Sequence, residues 1–162
     1  MFLSVGPDHG SRGGFMYRSV LVPVDGSKHS RHALEVAVAL AAGDEATVRV
    51  LNVPEWPKAD DALGVAAGAP SLDVTREEVL QAGQDLIRDL LSALGKSPAV
   101  DIVPEVALGD VTEAILAEAE RSHVDAIVMG SRGLSDFKGM VLGSVSHKVM
   151  HAAPCKTIIV RA

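Results

Sequence analysis

Val124-Asp125-Ala126-Ile127-Val128-Met129-Gly130-Ser131-Arg132-Gly133, followed further on by Gly143-Ser144-Val145-Ser146, is the stretch on which the reading of this chain turns. The apolar run Val124–Met129 predicts a buried strand, because large aliphatic side chains dominate it and a glycine turn closes it. Gly143 to Ala153 predicts a helix. A glycine-rich loop between a strand and a helix presents backbone N–H groups, and the roughly half positive charge of a helix N-terminus, to an anion. The stretch therefore predicts a phosphate-binding crevice.

Working outward, the same strand-then-helix unit repeats. Tyr17 to Asp25 is a β-branched run closed by Asp25-Gly26-Ser27. Pro23 lacks a ladder N–H and so belongs near that strand's C-terminal end. From Ser27 the spacing of Leu34, Ala37, Val38 and Ala41 is helical, with Gly43 as the stop. Ala46–Val53 is the second strand. Thr75-Arg76-Glu77-Glu78 makes a capping box for a helix carrying Val79, Leu86, Ile87, Leu90, Leu91 and Leu94 and ending at Gly95. Val100–Leu108 is the third strand, Asp110 and Glu113 open a third helix through Arg121, and Lys156–Val160 is the fifth strand. Strict β-α alternation predicts an α/β domain: one open five-stranded parallel sheet with helices on both faces, joined by right-handed crossovers. Ligands of such sheets sit outside the C-terminal strand ends, where strand order reverses. Asp25, Val53 and the 130–146 loop all fall at those ends.

Composition narrows the function classes. A chain of 162 residues, 48% hydrophobic and 22% charged, fits one soluble globular domain. Its net charge of −6 disfavours nucleic acid or an anionic membrane as partner. No apolar run reaches the ~20 residues of a membrane span, and a cytoplasmic location follows by default. A single cysteine, Cys155, excludes an internal disulfide. Residues 1–16 hold no apolar h-region and too little hydrophobic surface to offset ordering, so they read as a disordered tail with Met16 a candidate natural start. Residues 17–162 form the domain.

Val20-Leu21-Val22-Pro23-Val24-Asp25-Gly26-Ser27, Gly109-Asp110-Val111 and Gly130-x2-Gly133-x9-Gly143-Ser144 together resemble the universal stress protein family, in the right order and over essentially all of residues 17–162. The resemblance implies the Rossmann-like strand order 3-2-1-4-5 and, with this glycine motif intact, ATP binding, with Mg²⁺ carried by the nucleotide as a further expectation. Asp25, reached through Pro23 and Val24, resembles the carboxylate facing the adenine amino group. Val53 resembles the position whose backbone meets the adenine edge. Met129 and Gly130 resemble ribose-side residues, and Arg132, Gly133, Gly143, Ser144, Val145 and Ser146 the phosphate cradle. The function implied is a dimeric, nucleotide-responsive stress or signalling module with a further, unidentified protein partner. The alternative is a weak ATPase, autokinase or nucleotidyl transferase using the same crevice, with Ser131, Ser135, Ser144 and Ser146 as candidate phosphoacceptors.

The other chemistry-bearing residues carry weaker signals. A phosphoacceptor receiver domain would want an acid beside Asp25, where Val24 stands, and Asp110 is better explained as an N-cap. Lys138-Gly139 reverses the order of a Walker A loop. Serines 144 and 146 also suit N-cap positions. Asp136, as a candidate for a phosphate-bound Mg²⁺, is a single carboxylate on a loop and weak evidence by itself. His147 and His151 lack the glutamate of a zinc protease motif and read as helix-surface residues. Cys155 reads as packed, and Trp56 either as cover for a base or as a surface residue. Pro54–Asp73 is a long aperiodic loop, functional or mobile by its length. Of the two expected sheet edges, the third strand carries Asp101, Pro104 and Glu105, which oppose edge pairing. The fifth carries none, which predicts a homodimer through Thr157–Val160.

Overall fold

The computed structural model describes residues 3–4, 17–41, 46–56, 74–95, 100–134 and 142–162. In chain order its elements are β1 (Leu3–Ser4), β2 (Ser19–Pro23), α1 (Lys28–Leu40), β3 (Ala46–Asn52), α2 (Arg76–Leu94), β4 (Val100–Val106), α3 (Val111–Arg121), β5 (Ala126–Gly130), α4 (Ser144–Ala152) and β6 (Lys156–Val160). Five strands are parallel and neighbour one another as β4-β3-β2-β5-β6, the expected third-second-first-fourth-fifth order. Order reverses at β2, which pairs with β3 on one side and β5 on the other. The crevice of such a sheet therefore opens above the ends of β2 and β5.

Both faces of the sheet are covered, which is why its strands read as continuous apolar runs. Val20, Val22, Val48 and Val50 pack under α1 and α2 with Leu34, Ala37, Ile87 and Leu90. Leu21, Leu51, Ile127 and Met129 point the other way, onto Ile115 of α3 and Val149 of α4. Each fully buried side chain of this kind contributes about 1.5–3 kcal/mol over leaving it exposed. Helix starts follow the predicted caps. Ser27 accepts the Ser30 N–H, Thr75 and Glu78 form the reciprocal capping box, and Asp110 accepts the Glu113 N–H at 3.0 Å. The two hydrogen bonds from Thr75 hold the Glu78 carboxyl below its ordinary range. Pro23 is the last residue of β2, opposite Leu51, where the missing N–H costs no further ladder bond.

Three expectations change. Leu3 and Ser4, expected in a disordered tail, lie antiparallel on β6 opposite Ile158 and Thr157. The outer edge of β6, expected to be open, is thus occupied there by the chain itself, since an unpaired row of N–H and C=O groups takes up an extended segment within reach. Ser144 and Ser146 do not cap α4: the N-cap is Gly143, in extended conformation and without a side-chain cap bond. The 57–73 part of the long loop and Gly43 lie outside the described residues.

Candidate functional site

The end of β2 is held in place by its neighbours before any ligand is considered. Past the last ladder pair, the Val24 N–H donates to the Leu51 carbonyl at 2.8 Å. Asn52 Nδ2 donates to the Val24 carbonyl at 2.7 Å. Asp25 follows, half-buried, with its N–H on Ser30 Oγ at 3.3 Å. Its carboxylate bridges two segments. Oδ1 accepts the Ser27 N–H at 2.9 Å, the usual turn made by an aspartate with its own backbone. Oδ2 accepts the Leu134 N–H at 3.0 Å, from the loop after β5. Gly26 between them has φ +82°, a conformation that costs other residues steric strain.

Two of the three glycines of the motif are required by close neighbours, and the third is not. A Cβ at Gly130 would lie 2.8 Å from His29 Cβ and 2.9 Å from the His29 carbonyl carbon, so this glycine lets the first turn of α1 close onto β5. A Cβ at Gly133 would lie 2.6 Å from Asp25 Oδ2; this glycine seats the carboxylate. A Cβ at Gly143 would meet nothing nearer than 3.5 Å, at Arg132 Cα and the Ser131 carbonyl. That is ordinary contact, so the fold by itself does not require glycine at 143.

The loop is anchored at both described ends. The Ser131 N–H donates to the Val160 carbonyl and the Gly143 N–H to the Ser131 carbonyl, each at 2.7 Å. Ser146 Oγ donates to the Gly130 carbonyl at 2.8 Å, tying α4 to the end of β5. The structure thus brings Asp25, Met129, Gly130, Arg132, Gly133 and the start of α4 (Gly143, Ser144, Val145, Ser146) to one end of the sheet, with Val53 directly after β3. Arg132 is half-buried there. Two of the candidate phosphoacceptors sit poorly for that role: Ser131 is 2% exposed and Ser146 4%. Ser135, Asp136 and Lys138 lie outside the described residues.

Away from the loop, Trp56 is 50% exposed. The rings of His147 and His151 meet edge-on at 4.6 Å on the exposed face of α4. Among the described residues no three metal-ligating side chains converge. Burial, and secondarily the charge of Asp125, push the Cys155 thiol up to about 11, so it stays protonated and unreactive near neutral pH. Sequence reasoning missed Asn52 and His29. Asn52 was visible as the one amide in an apolar strand, and a buried amide at a strand end implies a backbone partner. His29, 2% exposed, accepts the Ala162 N–H on Nδ1 at 3.2 Å, a pairing across the whole chain length that no local pattern signals.

Comparison with known proteins agrees with this fold. The model of the universal stress protein family matches residues 16–161. The chain is 36% identical over 151 residues to the universal stress protein YxiE of Bacillus subtilis, covering 90% of this chain and 100% of that one. Among solved structures it is similar to the universal stress protein UspA of Lactobacillus plantarum (27% identical, TM-score 0.70, covering 90% of this chain and 98% of that one). It is also similar to a universal stress protein in complex with cAMP (25% identical, TM-score 0.65, covering 90% and 97%). No helix among the described residues is long and apolar enough to cross a membrane. With the strand order, the Asp25 turn and the glycine loop in place at one sheet end, the chain belongs to the universal stress protein family.

Proposed function

We propose that this chain is an ATP-binding universal stress protein, a cytoplasmic and dimeric module whose nucleotide occupancy governs its binding of a protein partner. The observation that carries this reading is the tie from Asp25 to the glycine loop, through the Leu134 N–H, beside the switch point between β2 and β5. Asp25 takes the adenine amino group, with Pro23 and Val24 setting its backbone. The Val53 main chain takes the base edge, and Met129 and Gly130 take the ribose. Arg132, Gly133 and the N–H groups of Gly143, Ser144, Val145 and Ser146 take the phosphates, with Mg²⁺ arriving on the nucleotide. A related protein solved with cAMP supports nucleotide chemistry in this fold. The long glycine motif argues for the longer phosphate chain.

Calorimetry with ATP, ADP and AMP, with and without Mg²⁺, tests the reading; absence of binding by all three removes it. Gly143→Ala gives the cleaner mutational test, because its Cβ has room in the unliganded fold. Its Tm should stay within about 2 °C of wild type, since a poorer N-cap and a less flexible unfolded chain roughly cancel. ATP affinity should fall at least about tenfold, ~1.4 kcal/mol, if a phosphate approaches that backbone. Unchanged affinity at unchanged Tm would move the phosphates elsewhere.

The dimer is proposed through β6, where Leu3–Ser4 occupies part of the edge that a second copy would use. A chain shortened to begin at Met16 should therefore associate more tightly than the full chain in sedimentation equilibrium, by about threefold or more in Kd, as a tethered competitor is removed. A monomer from both chains at tens of micromolar would exclude this interface.

A further inference from the structure

We propose that Asp25 is a two-state latch, resting on the nucleotide reading above: with the base site empty its Oδ2 holds the glycine loop through the Leu134 N–H, and a base carrying an exocyclic amino group takes over that oxygen and releases Leu134. The argument starts from how Oδ2 is covered. Gly133 packs so closely that even a methyl group there would stand 2.6 Å away, and the Leu134 N–H is bonded at 3.0 Å. The other oxygen is committed to Ser27 at 2.9 Å. A carboxylate oxygen has a second lone pair, but Gly133 lies against Oδ2, so an incoming amino group meets that oxygen in competition with the Leu134 N–H.

Whether Leu134 or Ser27 gives way is decided by what else anchors each. Ser27 is the N-cap of α1, 9% exposed, and its hydroxyl accepts the Ser30 N–H while its carbonyl accepts from Ser30 Oγ at 3.0 Å and the Arg31 N–H at 3.0 Å. Moving it would unwind the first turn of a core helix. The side chain of Leu134 is 72% exposed and adds little packing. Its hydrogen bond to a charged acceptor is worth more than a neutral one, but an amino group on the same carboxylate replaces it in kind. The exchange is therefore close to balanced, which is the condition under which ligand binding shifts a local equilibrium. Asn52, which donates to the Val24 carbonyl at 2.7 Å, keeps the carboxylate's own backbone fixed through the exchange. The loop end moves; the acid stays.

Amide hydrogen exchange on the full chain, resolved at Leu134 by NMR, tests this. Without ligand, Asp25→Asn should speed exchange at Leu134 at least about tenfold while leaving Ile127 and Val128 of β5 unchanged. The asparagine keeps an oxygen for Ser27 and turns an NH₂ toward Leu134, so the fold is kept and the latch is lost. In wild type, saturating ATP should also speed Leu134 exchange, and inosine triphosphate, whose base lacks an amino group, should bind without doing so. Unchanged Leu134 exchange in Asp25→Asn overturns the latch. Greater protection of Leu134 on ATP binding overturns the release, since the carboxylate would then be shared. No heat of binding with ATP in parallel calorimetry overturns the nucleotide reading and the release with it, while the unliganded comparison still decides the latch.

Discussion

Alanine at Gly130 is expected to lower the Tm of the unliganded protein by about 4–8 °C, equivalent to ~2 kcal/mol in a domain of this size. The added Cβ would stand 2.8 Å from His29 Cβ, 2.9 Å from its carbonyl carbon and 3.0 Å from its carbonyl oxygen. Two of those three atoms are backbone in the first turn of α1, so no rotamer change relieves the contact, and α1 must shift away from the central strand β5. The usual gain from replacing glycine, roughly 0.4–1 kcal/mol from a stiffer unfolded chain, offsets only part of this. Thermal unfolding followed by circular dichroism measures it. A Tm equal to wild type would mean that α1 and β5 have slack here that the packing does not suggest. The result also guards a functional experiment: weaker nucleotide binding by a Gly130 variant reports the fold as much as the site, whereas Gly143→Ala reports the site.

The second large effect lies on the far face of the sheet. Glu118 of α3 is 8% exposed yet charged, and it accepts from Arg121 Nε at 2.9 Å and from Ser122 Oγ while facing Arg49 of β3 at 3.7 Å. Glu105 of β4 closes the group, 3.5 Å from Arg49 and 3.4 Å from Arg121. Removing Glu118 deletes a buried side chain and leaves Arg49, whose side chain is 25% exposed, with Glu105 alone to compensate it, at a cost of about 3 kcal/mol. Glu118→Ala should therefore lower the Tm by about 6–12 °C. Arg121→Ala, whose side chain is 62% exposed, should cost under about 1 kcal/mol, as exposed pairs do. Equal, small losses for both variants would show that solvent screens the whole group.

The fold was legible because both covered faces leave a plain mark. Val20-Leu21-Val22 and Ala126-Ile127-Val128 are apolar at every position, which only a strand buried on both sides requires. Thr75 with Glu78 and Asp110 with Glu113 mark helix starts through bonds made within four residues, and the structure keeps both. The start of α4 at Gly143 is as expected, but Ser144 and Ser146 do not cap it, because serine's capping preference is a local tendency. The tertiary bond from Ser146 to the Gly130 carbonyl draws that side chain inward instead.

The candidate site was legible as a set of residues and not as a set of reasons. Gly130, Gly133 and Gly143 stood out as one motif, read as close approaches to phosphate. Their neighbours turn out to be His29, the Asp25 carboxylate and open contact, respectively. His29 left no local trace because its partner, Ala162, is remote in the chain, and Asn52 was visible as an amide but not its partner, the Val24 carbonyl.

By itself, then, the sequence determined what depends on spacing along the chain: the β-α alternation, the parallel sheet, the caps of α2 and α3 and the clustering of Asp25, Val53 and the glycine loop at C-terminal strand ends. Only the tertiary structure decided what depends on approach in space. It made Asp25 the tie between β2 and the loop, set Gly130 against His29 and Gly133 against Asp25, buried Glu118 among arginines and laid Leu3–Ser4 along β6. The physical reason is that caps and periodicity are satisfied within a turn or a strand. A steric contact or a hydrogen bond between residues about a hundred positions apart exists only once the chain has closed.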